Sequence, residues 1–389
     1  MLKIANFVDE QINQDVTQEI MLNQAAGMNP IYSALIAAGQ VRPTTTPEIT
    51  WFDTALPERR SQINRPADDY VAATTDLIVD SVAPFSVGCF VLFEATGEVG
   101  RVSAINSGTN TLTVARGIGK AGASVAAADA SVADDAYLRN IGYSAGEGSD
   151  TPAFQNIPPQ KHTNYIQTFR ESVRMSKLAA AVATKTEDER ARLRRDKFRL
   201  LLENIDLQLV HGAGDDDTVD EDGNPVRSIR GLLNFITTHV DNVGGAMSMA
   251  RFDQFAEEAF AKGADRKFLF AGPTLVRTIH TLYKEKLQVA VSDDAPGLMI
   301  RAVATPFGVL DLVVDRAFDG PFAGMGIVVD PEKAYIRPME GEGRGLPFLR
   351  TDLQTGTQDV IIDEWFGEFS FEIGSESAHA VIKGVTAAA

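Results

Sequence analysis

The sequence contains one match to the nucleophile motif of hydrolases, Gly142-Tyr-Ser-Ala-Gly146, in which Ser144 would be the nucleophile. That motif requires a strand before the serine and a helix directly after it, so that the hydroxyl is exposed on a sharp turn. Here Glu147-Gly-Ser-Asp-Thr-Pro152 follows, and such a segment does not begin a helix promptly. We therefore expect Ser144 to lie in a loop, and a serine hydrolase remains the alternative from the enzyme class.

The loop 214–224 carries six acidic residues, and carboxylates at this density are the ligands that calcium prefers. Aligning Gly223 with the sixth position of an EF-hand loop places two of the aspartates correctly. Position one is then Thr218, however, and position twelve is Ile229, where the bidentate glutamate should be. We expect a solvated acidic loop, with weak cation binding as the alternative.

Other motifs give no chemistry. Gly117-Ile-Gly-Lys120 lacks the upstream glycine and the following Ser or Thr of a phosphate-binding loop. The only cysteine, Cys89, lies in an apolar run and is expected to be buried, so no disulfide can form within the chain. The sequence predicts no catalytic residue, no metal and no cofactor, and the histidines are scattered at positions 162, 211, 239, 280 and 379.

Charge and length limit the class of protein. The chain has 389 residues, enough for two or three domains, and a net charge of −17. That charge disfavours a surface that grips nucleic acid or adsorbs to anionic membranes, because such surfaces rely on clustered Lys and Arg. No run approaches the roughly 18 apolar residues of a membrane span, so no membrane partner is expected.

The elements that must position these residues fall into distinct stretches. The first 42 residues, followed by Pro43-Thr-Thr-Thr-Pro47, predict an extended arm. Short strands with frequent turns between 76 and 115 predict a small inserted β-barrel or sandwich. A strand over 163–175 has mixed faces, which suits a hairpin lying across a partner. One of those faces carries Tyr165, Gln167, Phe169, Glu171 and Val173.

The clearest helix is predicted over 186–211, with Thr186 and Glu189 as a capping box and Gly212 as the stop. Its first half is basic and its second half is apolar. Because acids interleave with the arginines of the first half, we expect the basic half of the helix to form salt bridges to another helix or subunit.

The rest of the chain alternates helix and strand, and the fold class is α+β. Helices are expected at 252–262 and 272–287, and a hairpin from strands 298–304 and 309–314. A second strand pair is expected at 326–329 with 334–338. The C-terminal strands are placed at 358–365, 369–374 and 378–384.

The order of these blocks resembles the major capsid proteins of tailed bacteriophages. In residues 163–212, Tyr165, Gln167 and Phe169 match an aromatic strand pattern that leads into a long spine helix ending near Gly212. Residues 231–241, 269–279 and 335–339 are similar to the apical domain of that family. The segment 88–116 resembles a β-domain that some members carry in their extended loop.

The resemblance implies the tailed-phage major capsid protein fold, shared with encapsulins and the herpesvirus capsid floor, with a small inserted all-β domain. It assigns the chain to five parts: an N-terminal arm (1–48), an extended loop (49–66 and 146–180), an inserted barrel-like domain (67–145), a peripheral domain with the spine helix (181–230 and 350–389) and an apical domain (231–349).

The implied function is that of a structural shell subunit, not an enzyme. It would self-assemble through hexamers and pentamers into an icosahedral head that encloses double-stranded DNA without gripping it. Portal and scaffold or decoration proteins would be its partners, and assembly would occur in the host cytoplasm before the protein resides in the virion. An encapsulin-like nanocompartment shell is the nearest alternative.

An arm and a hairpin that cannot cover their own apolar faces must bury them on neighbouring subunits. Aromatic residues and arginines concentrate binding energy at interfaces, although the aromatics can also pack within their own subunit. The candidate intersubunit contacts are Trp51, Phe52, Arg59, Arg60, Tyr165, Phe169, Arg170, Arg190 and Arg194.

Overall fold

The computed structural model describes residues 30–54, 59–64, 70–71, 74–118, 132–144, 147, 159–181, 188–282, 301–315, 317–341, 345–354, 356–357 and 359–386. The chain divides into two compact units. The main unit comprises residues 1–53 and 160–389, and the barrel unit comprises residues 54–159.

The α-helices of the described residues are α1 (Pro30–Ala37), α2 (Lys177–Ala181), α3 (Glu189–His211), α4 (Leu232–Phe235), α5 (Met249–Ala259) and α6 (Pro273–Leu282). The first nine strands are β1 (Glu48–Asp53), β2 (Arg60–Gln62), β3 (Asp76–Ile78), β4 (Cys89–Phe93), β5 (Val99–Asn106), β6 (Thr111–Ala115), β7 (Tyr137–Tyr143), β8 (Gln160–Tyr165) and β9 (Gln167–Ser176). The strands that follow are β10 (Val240–Ala246), β11 (Arg266–Ala271), β12 (Arg301–Ala304), β13 (Val309–Val314), β14 (Gly326–Val329), β15 (Ala334–Pro338), β16 (Phe348–Arg350), β17 (Val360–Ile373) and β18 (Ala380–Thr386).

The main unit contains a six-stranded mixed sheet in the order β10-β18-β14-β11-β13-β12. β10 is parallel to β18 and β11 is parallel to β13, while the other neighbours are antiparallel. Helices α5 and α6 cover one face with Phe252, Phe255, Leu275 and Ile279. Side chains on the other face join the core that contains α3, so the central strands are apolar on both sides.

A second sheet of the main unit is built around the 14-residue strand β17. One edge of β17 pairs with β9 over ten residue pairs, and the other edge pairs with β16 and then β15. Helix α3 packs on β9 and β17. Its apolar half contributes Leu201, Ile205 and Leu209 to the core, as the sequence pattern predicted.

The N-cap of α3 is Asp188 and not the predicted Thr186, because the Asp188 carboxylate accepts a hydrogen bond from the Arg190 N–H and Glu189 is the first residue of the helix. Gly212 ends the helix, and its own N–H donates to the Gln208 carbonyl. A Cβ added at Gly212 would lie 2.1 Å from the Ile229 carbonyl oxygen, so this close approach of two backbone segments requires glycine.

The barrel unit contains a six-stranded antiparallel sheet in the order β2-β7-β4-β5-β6-β3. An antiparallel bridge between Ile63 and Val79 joins the first strand to the last, so the sheet closes into a barrel. Alternate side chains point inward, and apolar residues such as Val91 and Leu138 fill the interior. Cys89 is buried in this core, as predicted.

Several predicted elements differ from the structure. Residues 326–329 and 334–338 form strands but do not pair with each other, because β14 lies between β18 and β11 while β15 lies on β17. The two strands predicted from 358 to 374 are one continuous strand. Strand 163–175 is interrupted after Tyr165, and its second part, β9, pairs with β17 of its own chain. That it lies across a partner stays a prediction. The compact β unit, 54–159, contains the predicted insertion of 67–145 together with parts of the predicted extended loop, and the domain boundaries stay predictions.

Some predictions fall on positions outside the described residues. These are most of the N-terminal arm (1–29), the capping residue Thr186, the segment 283–300 with the ends of a helix and a strand, and the loop after Ser144 apart from Glu147 and Pro159.

Candidate functional site

Trp51 and Phe52 lie next to each other on β1 and therefore point to opposite faces of the β1–β8 ladder. Trp51 is 8% exposed; its ring centroid lies 5.6 Å from that of Phe235 and 5.9 Å from that of His162. Phe52 is 63% exposed. Of the two predicted contact residues, only Phe52 therefore presents a large apolar surface to solvent.

Tyr165 and Phe169 follow on the strands that connect this ladder to the sheet of β17. The Phe169 ring stacks on Phe369 with 4.7 Å between centroids and is 4% exposed. Tyr165 is half-buried, and desolvation together with the Asp216 carboxylate raises its pKa. Trp51 and Phe169 thus pack within their own subunit, and the intersubunit role predicted for them stays a prediction.

Arg170 lies on the exposed side of β9 and reaches across the ladder to β17. Its Nε atom is 2.5 Å from Oε1 of Glu364, while 62% of its side chain remains exposed. The same carboxylate lies 3.7 Å from Arg350, whose guanidinium stacks 3.4 Å above the Phe366 ring. This row of charges leaves the Arg170 side chain accessible to a further partner.

The basic half of α3 is anchored on one carboxylate that the sequence analysis missed. Asp363, on β17, is fully buried and accepts hydrogen bonds from Arg190 at 2.7 and 2.8 Å and from Arg194 at 2.9 Å. Arg190 also bonds Asp352 at 2.9 Å. Burial opposes the charged form of Asp363, but these hydrogen bonds outweigh it and hold the pKa of that carboxyl below its usual range.

The predicted salt-bridge face of α3 therefore exists, and for these two arginines it pairs with a strand of the same chain. The intersubunit role of Arg190 and Arg194 stays a prediction, with about a quarter of each side chain exposed. A signal was present in the sequence, because Asp363 interrupts the apolar run Ile361-Ile-Asp-Glu-Trp365. A buried acid on a strand implies a basic partner.

Arg59 and Arg60 belong to the barrel unit. Arg59 is exposed, and its carbonyl accepts a hydrogen bond from the Asn140 N–H at 2.6 Å. The Arg60 guanidinium stacks 3.6 Å from the centre of the Tyr137 ring and lies 3.8 Å from the Glu94 carboxylate.

The structure gives little support for chemistry at the motif around Ser144. Ser144 is exposed at the end of β7, and no histidine occurs between residues 54 and 159.

A groove of about 320 Å³ lies between β9 and α3 in the main unit. It is lined by Gln167, Thr168, Phe169, Arg170, Leu201, Asn204, Leu207 and Gln208, a set without a nucleophile–base pair.

The acidic loop forms an ordered turn. The carboxylate of Asp215 accepts hydrogen bonds from the Asp217 N–H and the Thr218 hydroxyl, and that of Asp220 accepts from Asn224. These hydrogen bonds lower the pKa of both Asp215 and Asp220. Asp215, Asp216 and Asp217 lie close enough to share an ion, but exposed acids commonly do so without one.

Two further buried groups escaped the sequence analysis. Asp206 on α3 accepts a hydrogen bond from the Tyr32 N–H at 3.1 Å, and Asp315 after β13 accepts one from Ala317 at 2.8 Å. The Oδ2 atoms of both acids are buried and without a hydrogen-bond partner among the described residues. Burial, followed by the charge of Asp315, raises the pKa of Asp206, and burial raises the pKa of Asp315 to about 6.

Lys267 is also buried, and its ammonium group donates to the carbonyls of Ala259, Lys262 and Ala378 at 2.6–2.7 Å. The first two belong to the C-terminal end of α5 and the turn after it, so this lysine caps the helix. Its role is structural.

Comparison with known proteins decides the family. The model of the SU10 major capsid protein family matches residues 3–386, nearly the whole chain. The chain belongs to the SU10 major capsid protein family. It is therefore the major capsid protein of a tailed phage, a structural subunit, as the order of sequence blocks indicated. No curated protein matches the sequence.

The fold of this capsid protein agrees with that assignment. A chain from the capsid asymmetric unit of Cyanophage A-1(L) aligns with a TM-score of 0.53 and 11% identity, covering 97% of this chain and 98% of the other. A chain of Mycobacterium phage Adephagia aligns over 100% and 99% of the two chains with 12% identity and a TM-score of 0.48. The SrpI encapsulin of Synechococcus elongatus aligns with a TM-score of 0.41 and 11% identity, covering 60% of this chain and 80% of the encapsulin chain. The likeness to the Cyanophage A-1(L) chain, with a TM-score above 0.5, is the one that supports the fold.

The family assignment confirms the predicted fold class and the capsid function. No helix among the described residues of this capsid protein has the length and apolar character of a membrane span. The boundaries of its arm, extended loop, peripheral domain and apical domain, and the nine predicted contact residues, stay predictions.

Proposed function

We propose that copies of this major capsid protein assemble through hexamers and pentamers into the icosahedral head of a tailed phage, which encloses double-stranded DNA. The observation that carries the proposal is the family match over residues 3–386. Assembly takes place in the host cytoplasm, with a portal and a scaffold or decoration protein as partners, and without catalysis.

The charge of the subunit supports enclosure rather than binding of the genome. A net charge of −17 repels the phosphate backbone, so the packaged DNA is confined without being immobilised on the wall.

The contacts between subunits use the predicted residues that keep exposed surface in the monomer. Phe52 contributes apolar area, and Arg59 and Arg170 contribute exposed guanidinium groups. Because a closed shell repeats each contact many times, modest individual energies suffice for a stable particle.

The test is electron microscopy of the purified full-length protein, combined with sedimentation. We expect closed shells in equilibrium with smaller oligomers. In the same assay, Phe52→Ala should reduce assembly while leaving the melting temperature unchanged, because this side chain is 63% exposed in the single subunit. A stable monomer under all assembly conditions would refute the proposal. Particles from infected cells that contain enzyme cargo instead of DNA would favour a nanocompartment.

A further inference from the structure

One side of the barrel's outer surface carries an arginine–aromatic face, which we define as Arg60, Phe90, Arg101, Tyr137, Arg139 and Ile141. Strands β2, β7, β4 and β5 are neighbours in that order. On β7 the exposed residues Tyr137 and Arg139 alternate with inward-facing positions, and the exposed Ile141 lies at a β-bulge between the partners of Phe90 and Val91. In the register of the sheet, Arg60 is directly opposite Arg139, and Phe90 is directly opposite Arg101. These six side chains therefore share one surface.

The charges on this face are poorly balanced. Like charges directly opposite each other on neighbouring strands are destabilising, and Arg60 and Arg139 are so placed. Among the described residues, Glu94 is the one carboxylate that pairs with them, at 3.8 Å from Arg60 and 2.5 Å from Arg139. Stability of the barrel alone does not account for such a cluster.

Another arginine of the same barrel shows the contrast. Arg116 forms two hydrogen bonds, of 3.0 and 2.6 Å, to the Glu98 carboxylate, and both side chains are almost completely buried. That pair is internal and structural. The arginines of the arginine–aromatic face remain at the surface, with 39% of the Arg60 side chain and 49% of the Arg139 side chain exposed.

The apolar part of the face has the composition of a binding surface. Tyr137 is 37% exposed and Ile141 is 47% exposed, and the Arg60 guanidinium stacks 3.6 Å from the Tyr137 ring. Aromatic residues and arginines are enriched at the centres of protein interfaces, and this stacking limits the motion of both side chains. On the outer surface of β6, by contrast, Thr111 and Thr113 are polar and no aromatic side chain occurs, and Thr113 bonds Asp76.

The charge of the face points to an acidic partner, and the chain itself supplies one. The loop 215–222 has six acidic residues among eight. It is held as a β-like turn by the bridge between Val219 and Pro225 and by the hydrogen bond from the Asp220 N–H to the Asn224 carbonyl. Val219 is 58% exposed, so the loop offers apolar atoms as well as carboxylates.

We propose that the arginine–aromatic face of one subunit binds the acidic loop 215–222 of a second copy of this chain. The inference rests on the proposed function, since it names a contact that the shell would repeat. Complementary charge brings the two surfaces together, and the aromatic and aliphatic groups exclude water at the centre of the contact.

The test is a charge exchange in the full-length protein, assayed by light scattering and electron microscopy. Arg60→Glu with Arg139→Glu, and separately Glu221→Lys with Asp222→Lys, should each raise the subunit concentration needed for assembly roughly tenfold or more. All four substitutions together should return it to within roughly threefold of wild type, because the charges are again complementary.

The control is Ser107→Glu with Thr109→Glu, which adds two negative charges to an exposed turn of the same barrel and should leave assembly unchanged. Wild-type assembly by the doubly reversed barrel variant, or an equal loss in the control, overturns the role of the face. If both charge-reversed variants assemble poorly and the variant with all four substitutions does not recover assembly, the pairing of the arginine–aromatic face with the loop is overturned.

Circular dichroism and thermal melting check that each variant folds. If the Glu variant of the barrel does not fold, Arg60→Gln with Arg139→Gln replaces it. The subunit concentration needed for assembly must then rise at least roughly threefold. The control and the milder variant change the net charge equally, by two. Shell formation by the wild type is read separately, so failure of the proposed function and failure of this contact are distinguishable.

Discussion

Replacing Asp315 by Asn should stabilise the main unit at neutral pH, although the substitution lies in its core. Asp315 is 1% exposed, and only one of its carboxylate oxygens has a hydrogen-bond donor among the described residues. Asp206, also buried, carries a second partly satisfied carboxylate and is electrostatically coupled to Asp315. Two carboxylates in such a place favour protonation of at least one.

The magnitude follows from the pKa of Asp315, which burial raises from 3.8 to about 6. Each pKa unit corresponds to about 1.4 kcal/mol, so ionising this group costs about 3 kcal/mol more in the folded than in the unfolded chain. Because the folded state retains the proton longer, stability falls as the pH rises from about 4 to about 6 and stays low above that range.

An asparagine removes the charge and keeps an oxygen for the Ala317 N–H. We expect the free energy of unfolding to rise by about 2–3 kcal/mol at pH 7.5 and by little at pH 4. Urea unfolding followed by tryptophan fluorescence measures this selectively, since Trp51 and Trp365 both belong to the main unit. The exposed substitution Glu332→Gln serves as the control and should have no effect at either pH.

Two outcomes would contradict this reasoning. A gain of the same size at pH 4 and 7.5 would mean that ionisation of the carboxyl is irrelevant. A loss of stability at pH 7.5 would mean that the Asp315 carboxylate is better satisfied than its unpaired oxygen indicates.

Three other changes test separate features. Asp363→Asn should lower the free energy of unfolding by about 3–5 kcal/mol at pH 7 in the same assay, because it leaves two arginines without their buried partner. Since the pKa of the Asp363 carboxyl is lowered, its contribution to stability persists above pH 4 and is lost only in stronger acid. Replacing residues 54–159 by Asn-Gly should leave a folded main unit with native tryptophan emission. Asp53 and Gln160 form the last pair of the β1–β8 ladder, and a two-residue turn can join them. Insoluble protein would contradict this prediction. Ser144→Ala should change neither assembly nor any hydrolytic activity of the preparation, and loss of a measurable esterase activity would revive the hydrolase alternative.

Local signals in the sequence predicted the elements that depend on neighbouring residues. The apolar spacing of Leu201, Ile205 and Leu209 and the stop at Gly212 located α3 to within a few residues, and the turn at 306–308 located the β12–β13 hairpin. These features are decided within about four residues along the chain, which is the range over which helix and turn preferences act.

Pairing between distant segments was beyond such signals. The strand β15 pairs with β17 rather than with β14, its neighbour in sequence, because each joins the sheet that buries its apolar face. The sequence did not predict the strand β2, because Arg60-Ser-Gln62 has no alternation of apolar and polar residues. Its pairing with β7 is what makes it part of the barrel. Local composition therefore predicted a small β-barrel or sandwich but not that β2 is its first strand.

The distribution of arginine partners separates internal from external roles. Arg190 and Arg194 are committed to the buried Asp363, which ties the start of α3 to β17 and leaves only about a quarter of each side chain exposed. Arg60 and Arg139 share one carboxylate at the surface of the barrel. An arginine already paired with a buried carboxylate gains little from a new acidic neighbour, whereas a surface cluster of like charge is relieved by one. The barrel rather than the spine helix therefore has the stronger electrostatic reason to attract a second subunit.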